Sequence, residues 1–459
     1  MRFGVVGALV LGSGLGFPTA SAQSPTALIN ERSVRAHMEF LASDALNGRG
    51  SGTRDEWIAA TYIASQLQRS GLEPLGDSGG YVQTVEVERP ELAAPPVLSI
   101  GSERYVHGKE ITVSSMSAPR VSGTLAAWTQ GSTPPRGAAV RVPSLSREVS
   151  QSLATAALVL TGPNGCGPSR SAAGSLPRVA TRIVGTPAVP SRPSCVAFDA
   201  DTYVALERVS AGTTVTLEAD VKSVTRTSTW NAVARLTGSD RQRSKEVILL
   251  SAHLDHLAPR PTAAPGADNI FNGADDDASG CVAVLELAHA LTREPRPRRT
   301  LVFAFFGSEE PGGLGSRYFA DSATVPLDRI VANLQFEMIG RPDSKVPART
   351  LWLTGYERSN LGPELARRGA RLVADPHPEQ NFFTRSDNIQ FARRGVVAHT
   401  VSSYGLHKEY HTAEDEIRFI DFPHMTNAIR SMLQPVRWLA NSSFRPAWLP
   451  LMRPNGTDR

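Results

Sequence analysis

Apolar residues along this chain change their spacing from region to region, and the changes predict its elements. In residues 30–42, Val34, Met38 and Leu41 recur at the spacing of one helical face, predicting an amphipathic helix. Residues Ile58, Ala59, Tyr62, Ile63 and Leu67 predict a second helix over 56–70, ended by Gly71. The stretch between them, ASDALNGRGSGTRDE, is a Gly-rich loop, either a surface connection or a loop that folds over a functional site. His37 lies beside the first apolar stripe and reads as a surface residue. From residue 247 onward the pattern differs: 247–250 and 301–306 are short uninterrupted apolar runs of the kind that forms buried strands. Residues 331–336, TLWLTG and GVVAHTV read as further strands. Helical stretches lie between these runs: DDDASGCVAVLELAHAL, GGLGSRYFADS, and a last helix over 422–439 with a kink expected at Pro435. This alternation predicts an α/β fold, a mostly parallel mixed sheet with helices on both faces.

Residues 89–226 break the pattern. Pro and Gly become frequent, and ITVSS, AAVRVPS, AALVLTG and TTVTLEA are short runs separated by turn residues, which suggests an inserted β-rich domain. It has no cluster of acids or imidazoles, so it is expected to be scaffold rather than chemistry. The chain thus divides into a leader (1–22), the first part of a catalytic domain (23–88), the insertion (89–226), the main catalytic part (227–445) and a tail (446–459). The leader has Arg2, an apolar Gly-rich run over 5–17 and a small-x-small site at Ala20-Ser21-Ala22, the pattern of an export signal removed after Ala22. That run is shorter than the ~20 residues that span a bilayer. The mature chain is therefore expected in the periplasm or outside the cell, with no stable membrane span.

Composition narrows the partners. Of 459 residues, 41% are hydrophobic and 20% charged, which is ordinary for a globular protein. The formal charge of +4 is small and the Arg residues are scattered, which argues against nucleic acid, since phosphate binding needs a clustered basic face. Export places the cysteines in an oxidising compartment. Cys166 and Cys195 lie in Pro- and Gly-rich loops and are expected to form a disulfide. Cys281, inside an apolar helix with no neighbouring cation, reads as an inert core thiol.

The chemistry gathers at the strand ends. His253 and Asp255 follow the first strand, two residues apart, so the carboxylate could orient the imidazole. Asp275, Asp276 and Asp277 open a helix, where the macrodipole favours acids. Glu309 and Glu310 follow the second strand, so that one could bind metal while the other works on water as general base. Glu337 ends a later strand, and His411 lies in EYHTAED. Any one of these is ordinary alone. In an open parallel sheet, however, ligands bind at the C-terminal edge, and oxygen with imidazole donors is what a catalytic zinc ion takes. The five candidate ligands are His253, Asp276, Glu310, Glu337 and His411, and the set predicts a metal-dependent hydrolase.

At these residues the chain resembles the two-zinc aminopeptidase family that also includes glutamate carboxypeptidases and glutaminyl cyclases. The matching motifs, in order, are SAHLDH, NGADDDASG, FGSEEPGGLGSRYF, FEMIGRPD, TRSDNIQF and YHTAED, covering most of residues 230–425; LASDALNGRGSGTRDEWIAATYIA resembles the family's lead-in. The resemblance implies zinc ligands at His253, Glu310 and His411, a bridging carboxylate at Asp276, a general base at Glu309, and in Asp255 the acid beside the first histidine. It also places the insertion where members often carry a protease-associated domain. Two positions depart from the pattern: Asp277 stands where many members have Asn, and Glu337 where many have Asp. The expected activity is two-zinc release of N-terminal residues from peptides. A glutaminyl cyclase, which works with one zinc, and a non-catalytic receptor-like relative are the alternatives.

Overall fold

The computed structural model describes residues 1, 25–153, 155–166, 176–186, 193–260, 266–322 and 324–454; the expected leader, Met1 apart, lies outside them. Among the described residues no helix is long and apolar enough to cross a membrane.

Capping residues set both N-terminal helices. The Asn30 side chain accepts the Ser33 N–H at 3.1 Å to start helix Glu31–Leu41, and the Thr53 hydroxyl accepts from Glu56 to start helix Arg54–Arg69. Each cap satisfies an N–H that the first turn cannot pair. Val34, Met38 and Leu41 of the first helix and Ala59, Ile63 and Leu67 of the second are buried. His37, expected at the surface, is partly covered instead, with Nδ1 2.8 Å from the Tyr62 hydroxyl. Burial, helped by Arg69 and His289, lowers its pKa to about 4.

Strands Val247–His253, Thr300–Phe306 and Ile330–Phe336 are buried along their whole length. They pair in parallel, and Ala398–Ser402 continues this centre on the far side of Ile330–Phe336. Antiparallel strands flank the centre, so the ten-stranded sheet is mixed. Near-continuous apolar runs are required because helices cover both faces. Helices Glu31–Leu41, Arg54–Arg69, Gly280–Thr292 and Phe422–Asn441 share one apolar cluster with one face, while Phe319 and Phe391, from helices Leu314–Asp321 and Asn388–Ala392, pack on the other. The last helix runs through Pro435. The C-terminal tail docks on this unit through Trp448, whose Nε1 donates to the Gly395 carbonyl at 3.1 Å.

A second, eight-stranded sheet is built from strands between Val97–Ile100 and Thr214–Glu218, with its own core of Leu98, Val113, Leu158, Val196, Val215 and Leu217. It is reached through two long strands, Val82–Leu92 and Val221–Leu236, paired antiparallel from Val82–Ala232 to Leu92–Val221. The positions 88/89 and 226/227, where the composition changes, fall inside this continuous ladder. The second sheet is cross-linked by Cys166–Cys195, which closes a loop of sequence separation 29. Cys281 is a buried free thiol.

Because the cross-link limits the unfolded chain, replacing Cys166 and Cys195 with Ser is expected to lower stability by roughly 2–4 kcal/mol. Urea titration followed by circular dichroism checks this; an unchanged midpoint would contradict it.

Candidate metal centre

The parallel register brings His253 level with Phe306, so the segments following both strands leave the sheet at one edge. There Glu309 and Glu310 sit in a turn whose backbone is held from below. The Asp255 carboxylate accepts the Glu309 N–H at 2.8 Å, the Glu310 N–H at 3.3 Å, and the Ser51 hydroxyl. This corrects one expectation. Asp255 does not orient His253 through its carboxylate, which lies 3.8 Å from Nδ1; its backbone carbonyl does so, at 3.1 Å. The carboxylate is occupied by the glutamate turn.

The three consecutive aspartates have three different jobs. The Asp277 carboxylate accepts the N–H groups of His253 (3.1 Å), Gly280 (3.0 Å) and Met338 (3.1 Å). Its charge, the departure noted above, is thus spent on backbone donors. Asp275 accepts from Gly340 N–H at 2.7 Å and lies 3.0 Å from His407 Nε2. Asp276 alone faces the site: Oδ1 is 3.1 Å from His253 Nε2, and Oδ2 is 3.1 Å from His411 Nε2. The turn holding it is fixed by Asp415, whose two carboxylate oxygens accept the N–H groups of Asp275 and Asp276, both at 3.0 Å.

Two donor groups result. His253, Asp276 and Glu337 form one; His256, Asp276, Glu310 and His411 form the other, with the donor atoms of each group within 4.8 Å of one another. The structure therefore brings all five candidate ligands together and places Asp276 in both groups. Several atoms converge without an aligned hydrogen-bond partner: His253 Nε2, His256 Nδ1, Glu310 Oε1 and Glu337 Oε2. Buried polar atoms are rarely left so. Orphaned imidazole and carboxylate atoms aimed at common points fit zinc, which takes such donors.

The electrostatics agree. Burial opposes charge on His411, but Asp276 and Glu310 outweigh it and push its pKa up to about 10. Burial likewise opposes charge on His253, and Asp277 and Asp276 raise it well above the ordinary value. Burial, opposed by His253 and reinforced by Asp276, raises Glu337 to about 7.

Sequence reasoning passed over four residues here. His256 stands one residue beyond Asp255, and the second His of HLDH was its signal. Asp415 ends the YHTAED motif. The other two come from the Gly-rich loop and the helix after it, which pack beneath the centre rather than forming a surface connection. Arg49, only 1% exposed, donates to the carbonyls of Leu41, Leu254 (3.0 Å), Asn272 (2.6 Å) and Gly273 (3.0 Å). Glu56 is fully buried, accepting from Gly52 N–H (2.7 Å), the Thr229 hydroxyl (2.6 Å) and Ser308 N–H (2.9 Å). Gly48 lets the loop approach, since a Cβ there would lie 2.3 Å from the Leu257 carbonyl oxygen.

Sheet edge, paired glutamates and shared aspartate together define an α/β domain with two donor groups that have Asp276 in common. Residues 231–436 match the model of Peptidase family M28. Over 180 residues the chain is 29% identical to Leucine aminopeptidase 2 of Trichophyton equinum, a match covering 37% of this chain and 33% of that relative. The chain spans only about a fifth to a third of the first curated relatives it matches. A solved aminopeptidase from Aneurinibacillus sp. strain AM-1 superimposes with a TM-score of 0.56 at 20% identity, over 94% of this chain and 98% of that one. A zinc aminopeptidase from Bacillus subtilis gives 0.50 at 19% identity, over 90% and 96%. These two likenesses establish the fold.

Arg49→Ala leaves four carbonyls without their donor and is expected to cost roughly 3–5 kcal/mol in chemical unfolding. Arg49→Lys should recover only part of it, because one ammonium cannot replace a planar fork. A shift under ~1 kcal/mol for the alanine variant would show that water takes over these bonds.

Proposed function

We propose that the chain is a zinc-dependent exopeptidase, an aminopeptidase that removes N-terminal residues from peptides and holds two zinc ions per chain. The observation that carries this reading is the pair of donor groups sharing Asp276 beside Glu309. His253, Asp276 and Glu337 would hold one ion, and Asp276, Glu310 and His411 the other. When bound, zinc polarises the scissile carbonyl and lowers the pKa of water.

Glu309 is the residue left for proton transfer. Burial, opposed by His253 and reinforced by Asp387, Glu337 and Glu310, raises its carboxyl well above the ordinary range. That makes it a better proton acceptor near neutral pH. It takes the proton of the attacking water and delivers it to the leaving amine, so a water adds across the peptide bond with no net proton change in the enzyme. Asp255 positions it through the Glu309 N–H.

Beside Glu337 opens a cavity lined by Met338, Trp352, Phe382, Tyr404 and Tyr410, with Arg385 at its wall stacked over Phe382 at 4.8 Å. Its aromatic lining suits an apolar side chain on the residue being released, and the names of the relatives, aminopeptidases among them, support the same reading. A cyclase working with one zinc would not need the second donor group. We also infer export, which the Cys166–Cys195 disulfide supports, since such bonds persist in oxidising compartments.

Purified zinc-loaded protein assayed on free and N-terminally blocked peptides should cleave only the free ones, and those beginning with Leu or Phe fastest. Glu309→Gln should lower kcat by at least ~100-fold with metal content unchanged; loss of metal in a folded variant would reassign Glu309 as a ligand. Glu337→Ala should lower bound zinc from about two to about one, and Glu337→Asp should restore much of it. If both variants keep full zinc and near-normal turnover, Glu337 is not a ligand.

A further inference from the structure

The two donor groups are unequal, and His256 makes them so. Its side chain is fully buried, and neither ring nitrogen has an aligned hydrogen-bond partner. Nδ1 lies 2.9 Å from Glu310 Oε1, itself an orphaned atom, and 3.7 Å from Asp276 Oδ2. The ring stands edge-on to that of His411, with centroids 5.6 Å apart.

Two features hold the ring there. The His256 N–H donates to the Arg49 carbonyl at 3.2 Å, so the Gly-rich loop fixes its backbone. Gly273 has φ +55, and a Cβ on it would come within 2.6 Å of His256 Cγ and Cδ2, so only glycine leaves room for the ring. A buried imidazole without partners is costly. Coordination would give His256 Nδ1 and Glu310 Oε1, both without an aligned partner, a shared one.

We infer that His256 is a fourth protein ligand to the ion held by Asp276, Glu310 and His411. Resting on the two-zinc reading above, this makes that position closed, because four nitrogen and oxygen donors fill a tetrahedral zinc site. The position of His253, Asp276 and Glu337 has three protein donors and keeps one place open, as catalytic zinc sites do. The four-donor group would then hold its ion more tightly than the three-donor group.

Two measurements test the assignment without relying on turnover. In the wild-type protein loaded with Co(II), proton NMR should show three exchangeable, paramagnetically shifted imidazole N–H signals, from His253, His256 and His411; two signals would overturn the proposal. Chelator competition should resolve a tight and a weak zinc. His256→Ala should weaken the tight one by ~100-fold or more, beyond the 10–100-fold typical of outer-shell partners, and leave the weak one within about threefold. His256→Asn, whose amide can still donate to Glu310, should fare no better. Rescue by Asn, or two unchanged affinities in His256→Ala, would reduce His256 to a positioning role. Wild-type protein that binds no zinc at all would instead sink the two-zinc reading itself. If neither variant folds, the wild-type NMR count decides alone.

Discussion

A carboxylate removed from water must be given N–H groups or positive charge, and nearly every contact at the functional edge of this fold follows from that need. An uncompensated ion in such a setting costs several kcal/mol. Glu56, Asp255, Asp277 and Asp415 meet it with donors from distant parts of the chain: Glu56 joins residues 52, 229 and 308, while Asp277 joins 253, 280 and 338. The acids therefore act as cross-links between segments far apart in the sequence. Asp276, Glu310 and Glu337 are left facing inward, where only imidazole and cations can answer them.

This division has a mechanical result. The turn carrying Glu309 is fixed by its own N–H on Asp255, and the turn carrying Asp276 by Asp415, so the inward-facing groups are in place before any ion arrives. Donor groups held in this way by their supporting turns are preorganised for a ligand.

Much of this was legible in the sequence. Uninterrupted apolar runs at 247–250 and 301–306 gave away buried parallel strands, and the acids and imidazoles following such runs must share an edge. Asp276, Glu310, Glu337 and His411 could be singled out as candidates because they stand beside strand ends or within short polar motifs. Arg49, Glu56 and Asp415 were not. Their roles lie in hydrogen bonds to backbone groups up to about 250 residues away, and nothing in local spacing encodes which carbonyl a buried guanidinium will meet. The role given to Asp255 failed for a related reason: spacing puts a carboxylate near an imidazole, but the stronger claim of two backbone N–H groups decided where it turned.

The position of Arg49 has a consequence for the order in which the chain assembles. Three of its four carbonyl partners, at Leu254, Asn272 and Gly273, lie more than 200 residues further on, beyond the whole second sheet. During synthesis the N-terminal helices can form early, but their polar seat does not exist until that sheet has been made. Contacts this far apart in sequence close late and slowly, which leaves the apolar faces of helices Glu31–Leu41 and Arg54–Arg69 uncovered in the meantime.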